Sequence, residues 1–438
     1  MALSKKPYKG TRDLYPPQKR AQNHLFDTMR KAAHSMGYEP YDGPLLEEVA
    51  LYQAKSGDEL IRDQIYSFTD RGDRFVAIRP EMTPTLARMV MGHHQQETKP
   101  IRLFSIPNLM RYEKPQKGRL REHWQFNCDI FGAPTMMGEV EILQMAINLL
   151  TSFGATSKQF EILINHREVV TNIFSDLMEL DSQKVHALYK IIDRAKKVTK
   201  EELNKMITAL SLTNRAELIL TDYLQLSSFD QLILFLKQNK LEQQLAEVTL
   251  LVELASKLGI DQFLKFDPTI VRGLDYYTGL VFEIFDKNPD NPRAICGGGA
   301  YQNLLTIFGG PVMPAVGFGL GDVTLSDFLT THGLMPDFTH PTSDIFISAQ
   351  DSDAQIEVLK LAARLRQGGG LSVVTHPEPV KIKKAFPLAE KRGARFVALI
   401  GEQELTDGSV QIKNMATREQ STLKIKDQIE DIIKLIKL

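Results

Sequence analysis

Cysteine, tryptophan, net charge and long apolar runs are all scarce in this 438-residue chain, which has two cysteines and one tryptophan. Two thiols, Cys128 and Cys296, are too few to build a zinc cluster. In a reducing compartment they are expected as core thiols rather than a disulfide. No apolar run is long enough to span a bilayer, and the stretch MALSKKPYKGTRDLYPP lacks the apolar segment of a signal peptide, so a cytoplasmic chain is expected. The 53 Lys and Arg are matched by 54 Asp and Glu, a formal net charge of −1. With no global positive field to draw in a polyanion, contact with nucleic acid has to come from local basic patches. Neither GxxxxGK[ST] nor GxGxxG occurs, which argues against a nucleotide site of the P-loop or Rossmann kind. No sequence repeat is evident.

What is present suggests two or three domains, since the hydrophobic content of 43% can supply several cores. Residues 18–36 carry Leu25, Met29, Ala32 and Ala33 at helical spacing, and Gly37 ends that helix. QIYSFTDRGDRFVAIRPEM reads as a hairpin, and a helix starts near Thr83 with Leu86, Met89 and Val90 on one face. PIRLFSIPNLMRYE and HWQFNCDIFG are strand-like and antiparallel. Residues 166–240 are helices rich in Leu, Lys and Glu, an expected insertion that splits a body made of 1–165 and 241–332. Strands return at TGLVFEIFD, AICGGGAYQNLL and AVGFGLGDVTLSDFL. MPDFTHPTS reads as a linker. Residues 343–438 then alternate β-α-β-α-β, a small α/β domain with mostly parallel pairing expected.

Several stretches could carry chemistry. RYEKPQKGRLREHW, residues 111–124, packs five Lys and Arg into one run, for which a solvated surface turn is the ordinary outcome. Arg111 and Glu113 are expected on one face of a strand, because side chains alternate with period two. There they can form a surface ion pair, or Arg111 can grip a phosphate with its planar fork. Gln125, Asn127 and Asp129 share a face between Phe126, Cys128, Ile130 and Phe131, and alternation alone leaves open whether that face lines a site or is wet. In RPEMTPTLARM, either Thr83 caps a helix beside an exposed Glu81, or the two hold a cationic group such as a substrate ammonium. VRGLDYYTG joins Arg272, Asp275, Tyr276 and Tyr277 to two glycines. A turn accounts for Gly273 and Asp275 and leaves the two tyrosines unexplained. CGGGAYQNL permits close backbone approach to a ligand, and GFGLGD reads as a strand-to-helix crossing.

Taken in order, these segments resemble a class II aminoacyl-tRNA synthetase, and within that class the histidyl-tRNA synthetase family, over nearly the whole chain. Residues 21–48 with Pro44 look like the first class signature, a dimer-interface element, and Leu109 to Phe131 look like the second. Arg-Gly-Leu-Asp-Tyr-Tyr at 272–277 and Gly-Gly-x-Tyr at 298–301 match the histidine-specific signatures. GARFVALIGEQEL looks like the anticodon-binding domain. The resemblance implies an α+β fold, with a class II synthetase-like antiparallel sheet and flanking helices, a helical insertion and a C-terminal α/β anticodon-binding domain. It implies ATP-dependent activation of L-histidine to histidyl-adenylate and transfer to tRNA(His) by a homodimer, with Mg2+ held mainly through the ATP phosphates rather than by a protein cage.

Carried over by motif, Arg111 would bind the α-phosphate, Glu113 the adenine side and Arg119 the outer phosphates, with His123 or Trp124 over adenine. Glu81, Thr83 and Gln125 would take the amino group of histidine, and Asp129 and Tyr277 its imidazole. Tyr276 and Tyr301 fall among the histidine-binding residues. Arg272 would sit between the substrate carboxylate and the α-phosphate and, with Arg111, carry the chemistry. Lys114, Lys117 and Arg121 in the hairpin, and Lys381, Lys383 and Lys384 near the C-terminus, would neutralise tRNA phosphates. The chain departs from the family pattern at Thr324, where a signature arginine would fall, at Ala300 and Gln302, and at Asp129, where the family has Glu. A relative in the same family serves as a histidine-binding regulatory subunit that does not charge tRNA, and a tRNA-binding module is a further alternative. The C-terminal domain and the joint presence of Glu81, Arg111, Gln125, Arg272 and Tyr277 favour the charging enzyme.

Overall fold

The computed structural model describes residues 3–53, 64–195, 198–271 and 276–437. Contacts divide it into a larger unit, Met1–Asp13 with Gln22–Met335, and a smaller one, Leu14–Ala21 with Pro336–Leu438. In the larger unit the strands are β1 Glu39–Pro40, β2 Leu46–Glu48, β3 Tyr66–Thr69, β4 Phe75–Ile78, β5 Ile101–Ser105, β6 Asn108–Met110, β7 Glu122–Phe131, β8 Phe160–His166, β9 Leu264–Phe266, β10 Leu280–Asp286, β11 Ala294–Tyr301 and β12 Ala315–Gly321. Among the described residues one sheet runs β1-β5-β7-β12-β11-β10-β8-β9, with β6 paired to β7, and a second sheet runs β2-β4-β3. Pairing in the main sheet is antiparallel except at its two ends, β1 with β5 and β8 with β9. The expected antiparallel body is therefore present.

The alternation read in β7 explains how this sheet acquires two different faces. Phe126, Cys128 and Ile130 are fully buried and join a core with Leu25, Met29, Leu143 and Phe328. These last residues come from helices Pro16–Ser35, Met137–Ser152 and Asp322–Thr331, which cover that side. Gln125, Asn127 and Asp129 point the other way, and Phe131, next in that row, joins a smaller cluster with Leu86, Tyr276, Tyr277, Val281 and Tyr301. A sheet with one helix-covered face and one partly polar face has its stability on the first and its chemistry on the second.

The helical segment after β8 has its own core, with Val170, Phe174, Leu188, Tyr223 and Phe235 packed together. Helix Glu242–Lys257 serves both cores: Val248 belongs to the helical one, Leu251 and Ala255 to the main one. The chain leaves the sheet after β8 and returns at β9, which pairs with β8 in parallel, so the excursion closes where it began.

In the smaller unit β13 Ser343–Ala349, β14 Val373–Thr375, β15 Ala394–Ile400, β16 Ser409–Asn414 and β17 Gln420–Lys424 pair in the order β14-β13-β15-β16-β17. Only β13 with β14 and β13 with β15 are parallel; β15-β16 and β16-β17 are antiparallel. The expectation of mostly parallel pairing is corrected here. Its cause is the β16-β17 hairpin, whose SVQIKN and QSTLK strands are too short and polar to announce themselves.

Leu143 is fully buried in the main core. Leu143→Ala is expected to cost about 2–5 kcal/mol, through lost transfer energy and the cavity left behind, read as a lowered midpoint in denaturant unfolding of the purified protein.

Candidate active site

A cleft of about 910 Å³ opens on the polar face of the main sheet. Its floor exists because β12, the strand beside β7, has glycine where side chains would collide with those of β7. Gly317 pairs with Asp129 in register, and a Cβ on Gly317 would lie 1.9 Å from Asp129 Oδ1. One on Gly319 would lie 2.6 Å from Gln125 Cδ. GFGLGD does run from strand to helix, as expected, but its glycines clear lateral room for the polar row of β7. Of the three glycines in CGGGAYQNL, Gly297 lines the cleft. Gly299 instead gives space to the protein's own Tyr277 ring, which would meet a Cβ there at 2.8 Å. One of those three glycines therefore faces the cleft.

One end of the cleft is deep and aromatic. Asp129 is only 3% exposed, and the Tyr301 hydroxyl donates to its Oδ1 at 2.6 Å. Burial pushes the Asp129 carboxyl up to about 7, while the bond from Tyr301 pulls it down. The Tyr276 and Tyr277 rings lie 4.7 Å apart, and Tyr276 meets Tyr301 edge-on at 5.7 Å. Glu81, Thr83 and Gln125 line the same cleft. Glu81 is buried, and Thr83 is the first residue of helix Thr83–His93, whose N-terminus has no side-chain cap. The capping alternative, with Thr83 as cap and Glu81 exposed, is therefore not the one realised; Pro84 in the first turn supplies the helix start instead.

The other end is formed by the β6-β7 hairpin, and it is rich in arginine. Strand β6 stops at Met110, so Arg111 and Glu113 lie just beyond it rather than on one strand face as expected. Arg111 Nε donates to the Pro80 carbonyl at 2.9 Å, and Arg119 Nε meets Glu113 Oε2 at 2.7 Å. All three side chains line the cleft. His123 lines it too, and its pKa is lowered to about 3, first by burial and then by the cations Arg111, Arg12 and Arg119. It is a neutral ring at physiological pH. Its neighbour Trp124 turns to the core side, where it packs against Phe26. That settles which of the two faces the cleft.

The hairpin's basic residues divide. Lys114 and Lys117 are exposed, with Lys117 Nζ donating to the Asp290 carbonyl at 3.0 Å. Arg121, expected to reach RNA, is instead buried at 9% exposure. Its Nε donates to the Glu113 carbonyl, its Nη1 to the Tyr8 hydroxyl, and its guanidinium lies 4.0 Å over the Tyr112 ring. It braces the hairpin. In the smaller unit Lys381, Lys383 and Lys384 are exposed where helix Ile382–Lys391 begins. Arg272 lies outside the described residues, whereas Val271 and Tyr276 on either side of its segment line the cleft. Thr324 lines it as well, its hydroxyl donating to the Ile295 and Gly321 carbonyls.

Sequence reasoning missed Arg12 and Asp322. Arg12 Nη2 pairs with Asp322 Oδ2 at 2.7 Å, and Asp322 Oδ1 accepts from the Trp124 backbone at 3.0 Å, which fixes the start of β7 against helix Asp322–Thr331. These residues are 310 positions apart, so no local pattern could join them. Arg293 and Glu283, which also line the cleft, escaped for the same reason. Among the described residues no group of three His, Cys, Asp or Glu is arranged to hold a metal ion.

Comparison with known proteins adds to this geometry. A histidyl-tRNA synthetase family model matches residues 10–323, and an anticodon binding domain model matches 344–435. The histidine--tRNA ligase of Leptospira biflexa is 42% identical over 98% of this chain and 98% of its own length. Among solved structures, histidyl-tRNA synthetase from Nostoc sp. PCC 7120 superposes with a TM-score of 0.77 at 24% identity, covering 100% of this chain and 99% of that one. The apo S. aureus enzyme of the same description superposes with a TM-score of 0.75 at 25% identity, covering 98% and 100%.

The Asp129 environment predicts a pH signature. The folded chain keeps that proton up to about pH 7, whereas an unfolded one releases it near 4. Across this window the unfolded state holds fewer protons than the native state, so Asp129 costs stability increasingly as pH rises. Asp129→Asn removes the cost. Its melting temperature relative to the parent should climb between pH 5 and 7.5, by the equivalent of about one to a few kcal/mol, measured by calorimetry; a difference that stays flat would contradict the assigned environment.

Proposed function

The chain belongs to the histidyl-tRNA synthetase family, enzymes that attach histidine to tRNA, and from that premise we propose that the cleft binds histidine at its tyrosine-walled end and ATP at its arginine-rich end. The observation that carries this reading is the buried Asp129–Tyr301 pair, which shares one cavity with Arg111, Glu113, Arg119 and His123.

An imidazole ionises near 6.5 in water, close to the value of about 7 for Asp129. The two groups can share one proton, which gives the ring a strong directional bond whichever holds it. Tyr277 serves the second ring nitrogen, with Tyr276 and Tyr301 as walls. An amino acid without the ring would leave the buried carboxyl with Tyr301 alone and its second oxygen without a partner, and such losses discriminate strongly. Glu81, Thr83 and Gln125 receive the ammonium, with the buried Glu81 as its counter-charge.

At the other end neutral His123 offers an uncharged face to adenine, while Glu113 lies on the adenine side. Arg111, held by the Pro80 carbonyl, meets the α-phosphate, and Arg119 meets the outer phosphates. Mg2+ held mainly through the ATP phosphates would supply charge neutralisation there. In the first step a carboxylate oxygen of histidine attacks the α-phosphorus and pyrophosphate leaves. In the second a hydroxyl of the terminal ribose of tRNA attacks the carbonyl carbon and AMP leaves. Arg272, on the strength of its motif, would stand between the two reacting anions, where a cation would offset their repulsion as the new P–O bond forms.

Lys114 and Lys117 on the larger unit and Lys381, Lys383 and Lys384 on the smaller are the proposed contacts to tRNA phosphates. The chain acts as a homodimer in the cytoplasm. Exposed Leu46, Phe68 and Phe75 on the β2-β4-β3 sheet are the kind of apolar surface that association covers. No helix among the described residues is long and apolar enough to cross a membrane.

Purified protein should catalyse histidine-dependent exchange of pyrophosphate into ATP. Asp129→Ala should raise KM for histidine by about tenfold or more and leave KM for ATP unchanged, the pattern of a lost contact to one substrate. Arg272→Ala should keep the fold and retain less than about a tenth of the exchange rate; a higher residue of activity would remove Arg272 from its role. Sedimentation at micromolar concentration should show a dimer.

A further inference from the structure

The family's signature arginine is absent at Thr324, and the threonine cannot replace it, because its hydroxyl is spent on the Ile295 and Gly321 carbonyls. Arg119 alone would then face the outer phosphates of ATP, with its charge already shared with Glu113 at 2.7 Å. A second guanidinium lines the same part of the cleft. Arg293 stands immediately before β11, is partly buried, and takes no hydrogen bond or ion pair among the described residues.

The stem of Arg293 is held in place. Gly118, at the turn of the hairpin, has φ +72, and a Cβ there would lie 2.9 Å from Arg293 Cδ and 3.5 Å from Thr324 Cγ2. Hairpin turn, Arg293 and the residue at the signature position therefore meet at one point. The bond from Lys117 Nζ to the Asp290 carbonyl ties the same turn to the segment that leads into Arg293. Burial and the adjacent Arg119 cation both disfavour charge on Arg293, and Glu113 favours it only in third place. Arg119 and Arg293 are near enough to repel, with Glu113 the carboxylate that acts on both, and an anion placed against the two guanidinium groups would relieve the repulsion.

We propose that Arg293 is a phosphate-binding residue of the adenylation reaction, its guanidinium acting with Arg119 on the β- and γ-phosphates of ATP from the segment leading into β11, across the Gly118 turn from the vacant signature position. The assignment rests on the reading of the cleft given above. Its chemistry follows from position: a cation on the leaving pyrophosphate stabilises the charge that accumulates there as the bond to the α-phosphorus breaks.

The test uses Arg293→Met, which keeps a stem to pack on Gly118 and removes the charge. In the exchange assay KM for ATP should rise about tenfold or more while KM for histidine changes less than about twofold. A non-hydrolysable histidyl-adenylate analogue, which lacks the outer phosphates, should bind the variant and the parent equally well. Adding Thr324→Arg to Arg293→Met should restore a good part of the ATP affinity, because it returns a cation to the same spot from the other side. An unchanged KM for ATP would overturn the assignment, and so would an equal loss of affinity for the analogue, which a merely structural role would produce. Absence of exchange in the unaltered protein would defeat the reading of the cleft itself, and is distinguishable from either of these.

Discussion

A carboxyl group buried in the middle of a β-sheet is the constraint around which this catalytic unit is organised. Taking an ionised carboxylate out of water costs several kcal/mol, whereas the bond from Tyr301 returns only about 1.5–3 kcal/mol. Desolvation wins, which is why Asp129 holds its proton to about pH 7. The arrangement is tolerable because the opposite face of the same strand, with Phe126, Cys128 and Ile130, is fully buried in the largest core of the unit. The glycine at 317 is the matching concession on the neighbouring strand. Any side chain there would occupy the space of Asp129 Oδ1.

The arginine-rich end answers a different electrostatic problem. Four guanidinium groups, those of Arg12, Arg111, Arg119 and Arg293, act on His123 or on one another. The described carboxylates bonded to them are Asp322 with Arg12 and Glu113 with Arg119. The resulting excess of positive charge is local, since the chain as a whole has a formal net charge of −1. It is confined to a cleft whose walls reduce screening, where charge acts over a few ångströms rather than by long-range attraction. A neutral His123 is a consequence of that excess as well as of burial.

What could be read from the sequence was whatever is written locally. The polar row of β7, the hairpin with its basic loop, the helical segment after β8 and the linker near Met335 all follow from alternation, helical spacing or composition within a few residues. What could not be read depends on partners remote in the chain. Nothing in RYEKPQKGRLREHW separates exposed Lys117 from Arg121, whose burial is decided by Tyr8 and Gly10 about a hundred positions away. The purpose of the glycines in GFGLGD becomes visible only when β12 is laid beside β7. The β16-β17 hairpin escaped for a reason of strength: short, half-polar strands carry too weak a period to stand out from a loop.

The two ends of the cleft follow opposite rules, and the reaction needs both. At the tyrosine-walled end burial suppresses the charge of Asp129, so that on the proposed reading recognition of a ring depends on one proton and its direction. At the arginine-rich end charge is left in excess, so that a polyanion brings the neutralisation the protein lacks. On the proposed reading the carboxylate and phosphorus that must approach each other, both surrounded by negative oxygens, would meet between them. A site that was positive throughout would bind the nucleotide and fail to distinguish the amino acid, because the free energy of a buried neutral contact would be swamped by non-directional attraction. A site neutral throughout would choose the amino acid and leave the two anions repelling each other. Placing the boundary along a single strand, from His123 through Gln125 to Asp129, lets the six or seven ångströms per pair of residues in β geometry separate the two regimes without a second domain.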